Sequence, residues 1–81
     1  MKLTINYFAS AADYAGRRNE SIDLPASCSL EMLRQILAAG KNDDFYRLLK
    51  VCAFTLNGQQ LHDGDQVSGG ELDVLPPFAG G

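Results

Sequence analysis

Read from its first residues, the chain alternates at once. Leu3, Ile5 and Tyr7 fall on one side of an extended backbone, and Lys2, Thr4 and Asn6 on the other. A period of two predicts a half-buried strand over Lys2–Phe8. Glu20 to Leu24 alternates again, with Ile22 and Leu24 inward and Pro25 closing the run. The short connection between these runs predicts antiparallel pairing. Within it, Ser10 occupies an N-cap position, Asp13 follows three residues on, and Gly16 acts as a stop, so one or two helical turns are predicted over Ser10–Gly16. Arg17, Arg18 and Asn19 read as a solvated turn, since two charges do not make a binding patch.

After Pro25 the period changes. Leu30, Leu33, Ile36 and Leu37 recur at helical spacing, with Met32 on the flank and Arg34 and Gln35 facing water. Ser29 is the expected N-cap, Glu31 suits the first turn, and Gly40 ends the helix. In so small a chain this stripe must cover a sheet. Asp43 is placed to cap a second, short helix with Phe45, Leu48 and Leu49 on one side. Val51 to Leu56 alternates as a third strand, and Asn57-Gly58 is a two-residue hairpin signal with Gln59 to Leu61 returning. His62 to Asp65 is a loop, Ser68-Gly69-Gly70 a turn, and Glu71 to Leu75 the last strand. This order predicts an α+β roll, in which one main helix packs on one face of a mixed sheet. The first and last strands can then lie parallel at its centre.

Composition narrows the picture. A length of 81 residues predicts a single domain over 1–81, with too small a core for a deep active site. A net charge of −3 argues against nucleic acid as a partner and for a basic protein surface. No apolar run approaches the ~20 residues of a membrane helix, so no membrane association is expected. Cys28 and Cys52 have neither CxxC nor zinc-ligand spacing, and are expected as small core or half-buried residues in a reducing cytoplasm. The loop His62-Asp63-Gly64-Asp65 lacks the length and the closing Glu of a calcium loop, so no metal is expected. His62 is the only histidine. No acid, base and nucleophile set converges, and the chain is not expected to be an enzyme on its own.

The chemistry is expected at the other end, in Pro76-Pro77-Phe78-Ala79-Gly80-Gly81. Each proline fixes φ and lacks an N–H, so the pair ends the last strand and holds the remaining residues stiff and extended. Two glycines without Cβ make a thin tail that could thread a narrow channel, with an unhindered carboxylate at its end. The competing reading is a loose terminus.

Tyr7-Phe8-Ala9, Leu33-Arg34-Gln35, Leu56-Asn57-Gly58 and above all the Pro76 to Gly81 ending carry a resemblance across the whole chain. It resembles the small, sulfur-carrier subunit of molybdopterin synthase, a ubiquitin-like β-grasp family whose tail reads Pro-Pro-x-x-Gly-Gly. Two departures stand out: Ser68-Gly69-Gly70-Glu71 replaces an acidic turn, and Ala12 stands where an arginine is common. The resemblance implies that an adenylating enzyme of the ubiquitin-activating kind uses ATP to adenylate Gly81. Persulfide sulfur from a donor enzyme then leaves a thiocarboxylate there. The tail of Pro76, Pro77, Phe78, Ala79 and Gly80 would enter the large catalytic subunit, in an assembly of two small and two large subunits. There the sulfur would pass to cyclic pyranopterin monophosphate and build the molybdopterin dithiolene. Phe8 and Leu75 fall where the family carries contacts to the large subunit, and no cofactor is bound by the carrier itself. Three other readings stay open: a carrier for thiamine or tRNA thiolation, a protein modifier, and a plain interaction module.

Overall fold

The computed structural model of the chain describes residues 1–77. The elements in order are β1 (Lys2–Tyr7), α1 (Ser10–Ala15), β2 (Asn19–Asp23), β3 (Cys28–Ser29), α2 (Leu30–Ala38), α3 (Asp43–Val51), β4 (Ala53–Leu56), β5 (Gln59–Gln60), β6 (Gln66–Val67) and β7 (Gly70–Leu75). Five strands make one mixed sheet in the order β2-β1-β7-β4-β5. β1 runs antiparallel to β2 and parallel to β7, with Leu3 beside Gly70 and Tyr7 beside Val74. β4 closes on β7 antiparallel, with Ala53 opposite Leu75. The first and last strands are therefore adjacent, and the α+β roll expected from the sequence is the fold observed.

Alternation decides which side of the sheet is covered. Leu3, Ile5 and Tyr7 of β1, Leu72 and Val74 of β7 and Phe54 of β4 are buried together with Leu30, Leu33 and Leu37 of α2 and Phe45 and Leu49 of α3. Each such aliphatic side chain removed from water contributes roughly 1.5–3 kcal/mol. The Tyr7 and Phe45 rings meet edge to face at 5.9 Å, a favoured aromatic geometry. No helix among the described residues is long and apolar enough to cross a membrane.

Several boundaries differ from the sequence reading. Ser10 is the first helical residue rather than the cap, and Ala9 holds the cap position with no side-chain hydrogen bond. The cap of α3 is Asn42 rather than Asp43, its side chain accepting from the Phe45 N–H. Val51 ends that helix instead of opening a strand, and is well exposed. Ser29 caps α2 as expected, accepting from the Met32 N–H at 3.1 Å. On α2, however, Arg34 is buried and Ile36 is exposed. At 100° per residue, Arg34 lies about 65° from the centre of the Leu30–Leu33–Leu37 stripe and Ile36 about 95° from it on the other side. Helix geometry outweighs side-chain polarity here. The small β3–β6 pair, with Cys28 opposite Val67, has strands too short to show a period.

The hairpin turn is as read: Asn57 and Gly58 both have positive φ, 50° and 86°, which a type I′ turn requires. Its tip is tied to β7, because the Asn57 side chain accepts from the Glu71 N–H at 2.9 Å. That close approach explains Gly70. Its φ is +135°, and a Cβ there would stand 2.6 Å from the Asn57 amide.

Candidate functional site

The end of β7 is where the predicted chemistry meets the fold. β7 sits third in a sheet of five strands, held by β1 on one side and β4 on the other. Leu72 and Val74 point to the helices, so Glu71, Asp73 and Leu75 point to the open face. Leu75 is half-buried there, opposite the exposed Ala53. After Leu75 come Pro76, half-buried, and Pro77, exposed. Neither can donate to a ladder, so strand pairing through N–H groups stops at this point. The chain thus leaves the sheet from a central strand.

Phe8 stands beside that exit. Its N–H donates to the Val74 carbonyl at 3.2 Å and extends the parallel ladder by one residue. Because Tyr7 is inward, alternation places Phe8 on the open face next to Leu75. Phe8 is 45% exposed, so an aromatic ring, a leucine and Ala53 form an apolar patch at the strand ends. Polar residues border it: Asn6 donates to Asp73 at 3.0 Å across the β1–β7 pair, with Thr4 and Glu71 the next pair along. Of the residues nominated from the sequence, the structure brings Phe8, Leu75, Pro76 and Pro77 together. Phe78, Ala79, Gly80 and Gly81 lie outside the described residues.

The titratable groups elsewhere are structural. Tyr7 donates to the Glu20 carboxylate at 2.6 Å, and burial, then Glu20, raise its phenol far above the ordinary range. Cys28 and Cys52 are free thiols, and burial raises both, Cys52 to about 11. Cys52 is a buried core thiol, and Cys28 is half-buried against the core; a raised pKa disfavours the nucleophilic thiolate at both. His62 is exposed, with Nδ1 3.5 Å from Asp65, and Asp65 also accepts from the His62 N–H. The loop is thus a plain turn. No group of three metal-ligating residues occurs among the described residues. An open cleft of about 390 Å³ between the end of α2 and the start of α3, lined by Gln35, Lys41, Asn42, Asp43, Tyr46 and two alanines, holds none of the nominated residues.

One polar centre was not read from the sequence. Arg34 donates to Glu31 at 3.0 Å and to Asp63 at 2.9 Å, with its guanidinium 5.5 Å from the Phe54 ring centroid. Burial disfavours its charge, but the bonds to Asp63 and Glu31 more than offset that and raise its pKa. Glu31 also accepts from the Tyr46 hydroxyl at 2.5 Å. This network ties α2 to α3 and to the loop before β6. Its position in the apolar stripe was the available signal.

No family model matches the chain. A curated relative, the molybdopterin synthase sulfur carrier subunit of Emericella nidulans, is 33% identical over 88 residues, covering 95% of this chain and 94% of the relative. Among solved structures, a chain in the protein–protein complex of subunit 1 and 2 of the molybdopterin-converting factor from Helicobacter pylori matches with a TM-score of 0.65. It is 25% identical, with 100% of both chains covered. SAMP1 from Haloferax volcanii is a likeness of fold, with a TM-score of 0.75 at 23% identity and 100% of both chains covered.

Proposed function

The chain belongs to the family of molybdopterin synthase sulfur carrier subunits, and we propose that it carries sulfur as a thiocarboxylate on Gly81. The observation behind this reading is the placement of the exit. Pro76 and Pro77 leave a central strand beside exposed Phe8 and half-buried Leu75, so the apolar patch and the tail can engage one partner at once.

A carboxylate is a poor acyl donor. In the proposed cycle a separate adenylating enzyme binds ATP, and the Gly81 carboxylate attacks its α-phosphorus. Pyrophosphate leaves and an acyl-adenylate forms. The terminal sulfur of a donor-enzyme persulfide then attacks the carbonyl carbon and expels AMP. A second thiol cleaves the resulting acyl disulfide, which leaves the thiocarboxylate on Gly81 and a disulfide on the donor. The carrier itself holds no cofactor and catalyses no step; it supplies reach and a slim, unhindered acyl group.

Delivery follows in the large catalytic subunit of the synthase, within an assembly of two small and two large subunits in the cytoplasm. The solved relative that is a complex of subunits 1 and 2 supports a large partner of this kind. Phe8 and Leu75 are its apolar anchors, and Pro76 to Gly80 span the distance to the pterin substrate. The reading is tested by reconstitution from the purified chain, the adenylating enzyme, ATP, a persulfide donor, the large subunit and cyclic pyranopterin monophosphate. Dithiolene formation is expected with the full chain and its loss with the chain lacking Gly81. Equal product from both would refute the carrier role of that residue.

A further inference from the structure

Two non-glycine residues among those described have a positive φ, Asn57 and Ala9, both at 50°. Asn57 is accounted for. It fills a hairpin position that asparagine tolerates, and its side chain is bonded to β7. Ala9 has no such compensation. Its ψ of −130° takes it out of the left-handed helical well, where ψ is about +47°. The pair of angles instead lies near the first central position of a type II′ turn, the mirror of about (−60°, +120°) and a place dominated by glycine, asparagine and aspartate. The turn is closed, because the Phe8 carbonyl accepts from the Ala11 N–H at 3.0 Å. Phe8 is thus held from both sides, by this bond and by its own N–H on Val74.

A β-carbon in that conformation is strained. The backbone bonds of the turn, including the Ala12 N–H on the Ala9 carbonyl at 3.0 Å, would serve a glycine equally; Ala9 is exposed, and its side chain caps no N–H of α1. Glycine would hold the same turn without the strain. The methyl group therefore gains its contact outside the chain, and it projects from the residue next to Phe8, at the margin of the apolar patch. We propose that Ala9 is a further contact and positioning residue of the docking surface. The strained turn over residues 8–11 fixes the residue that follows Phe8, and the Ala9 methyl and the Phe8 ring both enter one apolar depression on the large subunit. This rests on the docking reading given above for Phe8 and Leu75.

The test uses the full chain and the purified large subunit, with calorimetry for affinity and thermal denaturation for stability. Ala9→Gly is expected to move the two in opposite directions. The denaturation midpoint should rise as the strain is relieved, while the dissociation constant weakens roughly fourfold, the equivalent of one buried methyl group. A merely structural residue would not show this split. Phe8→Ala and Leu75→Ala are measured alongside. If they weaken binding and Ala9→Gly does not, the docking reading stands and the role of Ala9 is overturned. A lower midpoint for Ala9→Gly would overturn it too, by removing the strain on which it rests. If neither Phe8→Ala nor Leu75→Ala alters affinity, the patch itself is not the docking surface.

Discussion

Arg34 shows how one side chain can serve as both core and clasp. Its stem fills a gap in the apolar stripe of α2, and its head reaches the exposed carboxylates of Glu31 and Asp63. Those carboxylates can rehydrate if the arginine is lost, so packing dominates its contribution. Arg34→Ala is expected to cost about 2 kcal/mol and Arg34→Met less than about 1 kcal/mol, read as urea midpoints. Equal losses would show that charge, not packing, holds the site. Cys52 gives a pH-dependent expectation. Burial raises its thiol from 9.0 to about 11, so the unfolded chain releases this proton first as pH rises. Its contribution to stability is complete below pH 9 and is lost progressively between pH 9 and about 11. Denaturation midpoints across that window should fall less steeply for Cys52→Ala than for the parent chain. Parallel curves would assign the alkaline loss to other groups.

At the scale of elements, the division of α2 is the sharpest correction. Leu33 is fully buried while Ile36 is 38% exposed. Leu33→Ala should cost roughly 2–5 kcal/mol through lost burial and a cavity, and Ile36→Ala about 1 kcal/mol or less. Chemical denaturation of the two variants checks this, and similar losses would put Ile36 back in the core. The first residue of β7 makes a second claim. Gly70→Ala must place its Cβ against the Asn57 amide and adopt a φ of +135°. It is expected to be more damaging than Gly64→Ala, where nothing lies within 4 Å. Much of this architecture was legible. Leu3, Ile5 and Tyr7 declared their strand by period, Ser29 its cap, and Asn57-Gly58 its turn. The features that stayed hidden depended on neighbours in space. The β3–β6 pair needs its partner to exist, Arg34 is bonded to Asp63 from 29 residues away, and the turn at Ala9 is held by the bonds that Phe8 makes with Val74 and Ala11. In the candidate site, Phe8 and Leu75 were nominated by resemblance, and only the parallel β1–β7 register explains why they are neighbours.

For the molecule as a whole, topology sets the reach. A chain that ended on an edge strand would present its tail at the sheet's margin. Here β7 lies between β1 and β4, so Pro76 and Pro77 leave the sheet beside the apolar patch. The central claim of the proposed function is that the Gly81 carboxylate is chemically converted and carried. The most direct test is intact mass spectrometry of the chain after incubation with the adenylating enzyme, ATP and a persulfide donor. The account predicts replacement of one carboxylate oxygen by sulfur, dependent on ATP and absent when Gly81 is deleted. An unchanged mass in a mixture that converts another carrier of the family, or equal conversion of the chain lacking Gly81, would contradict it.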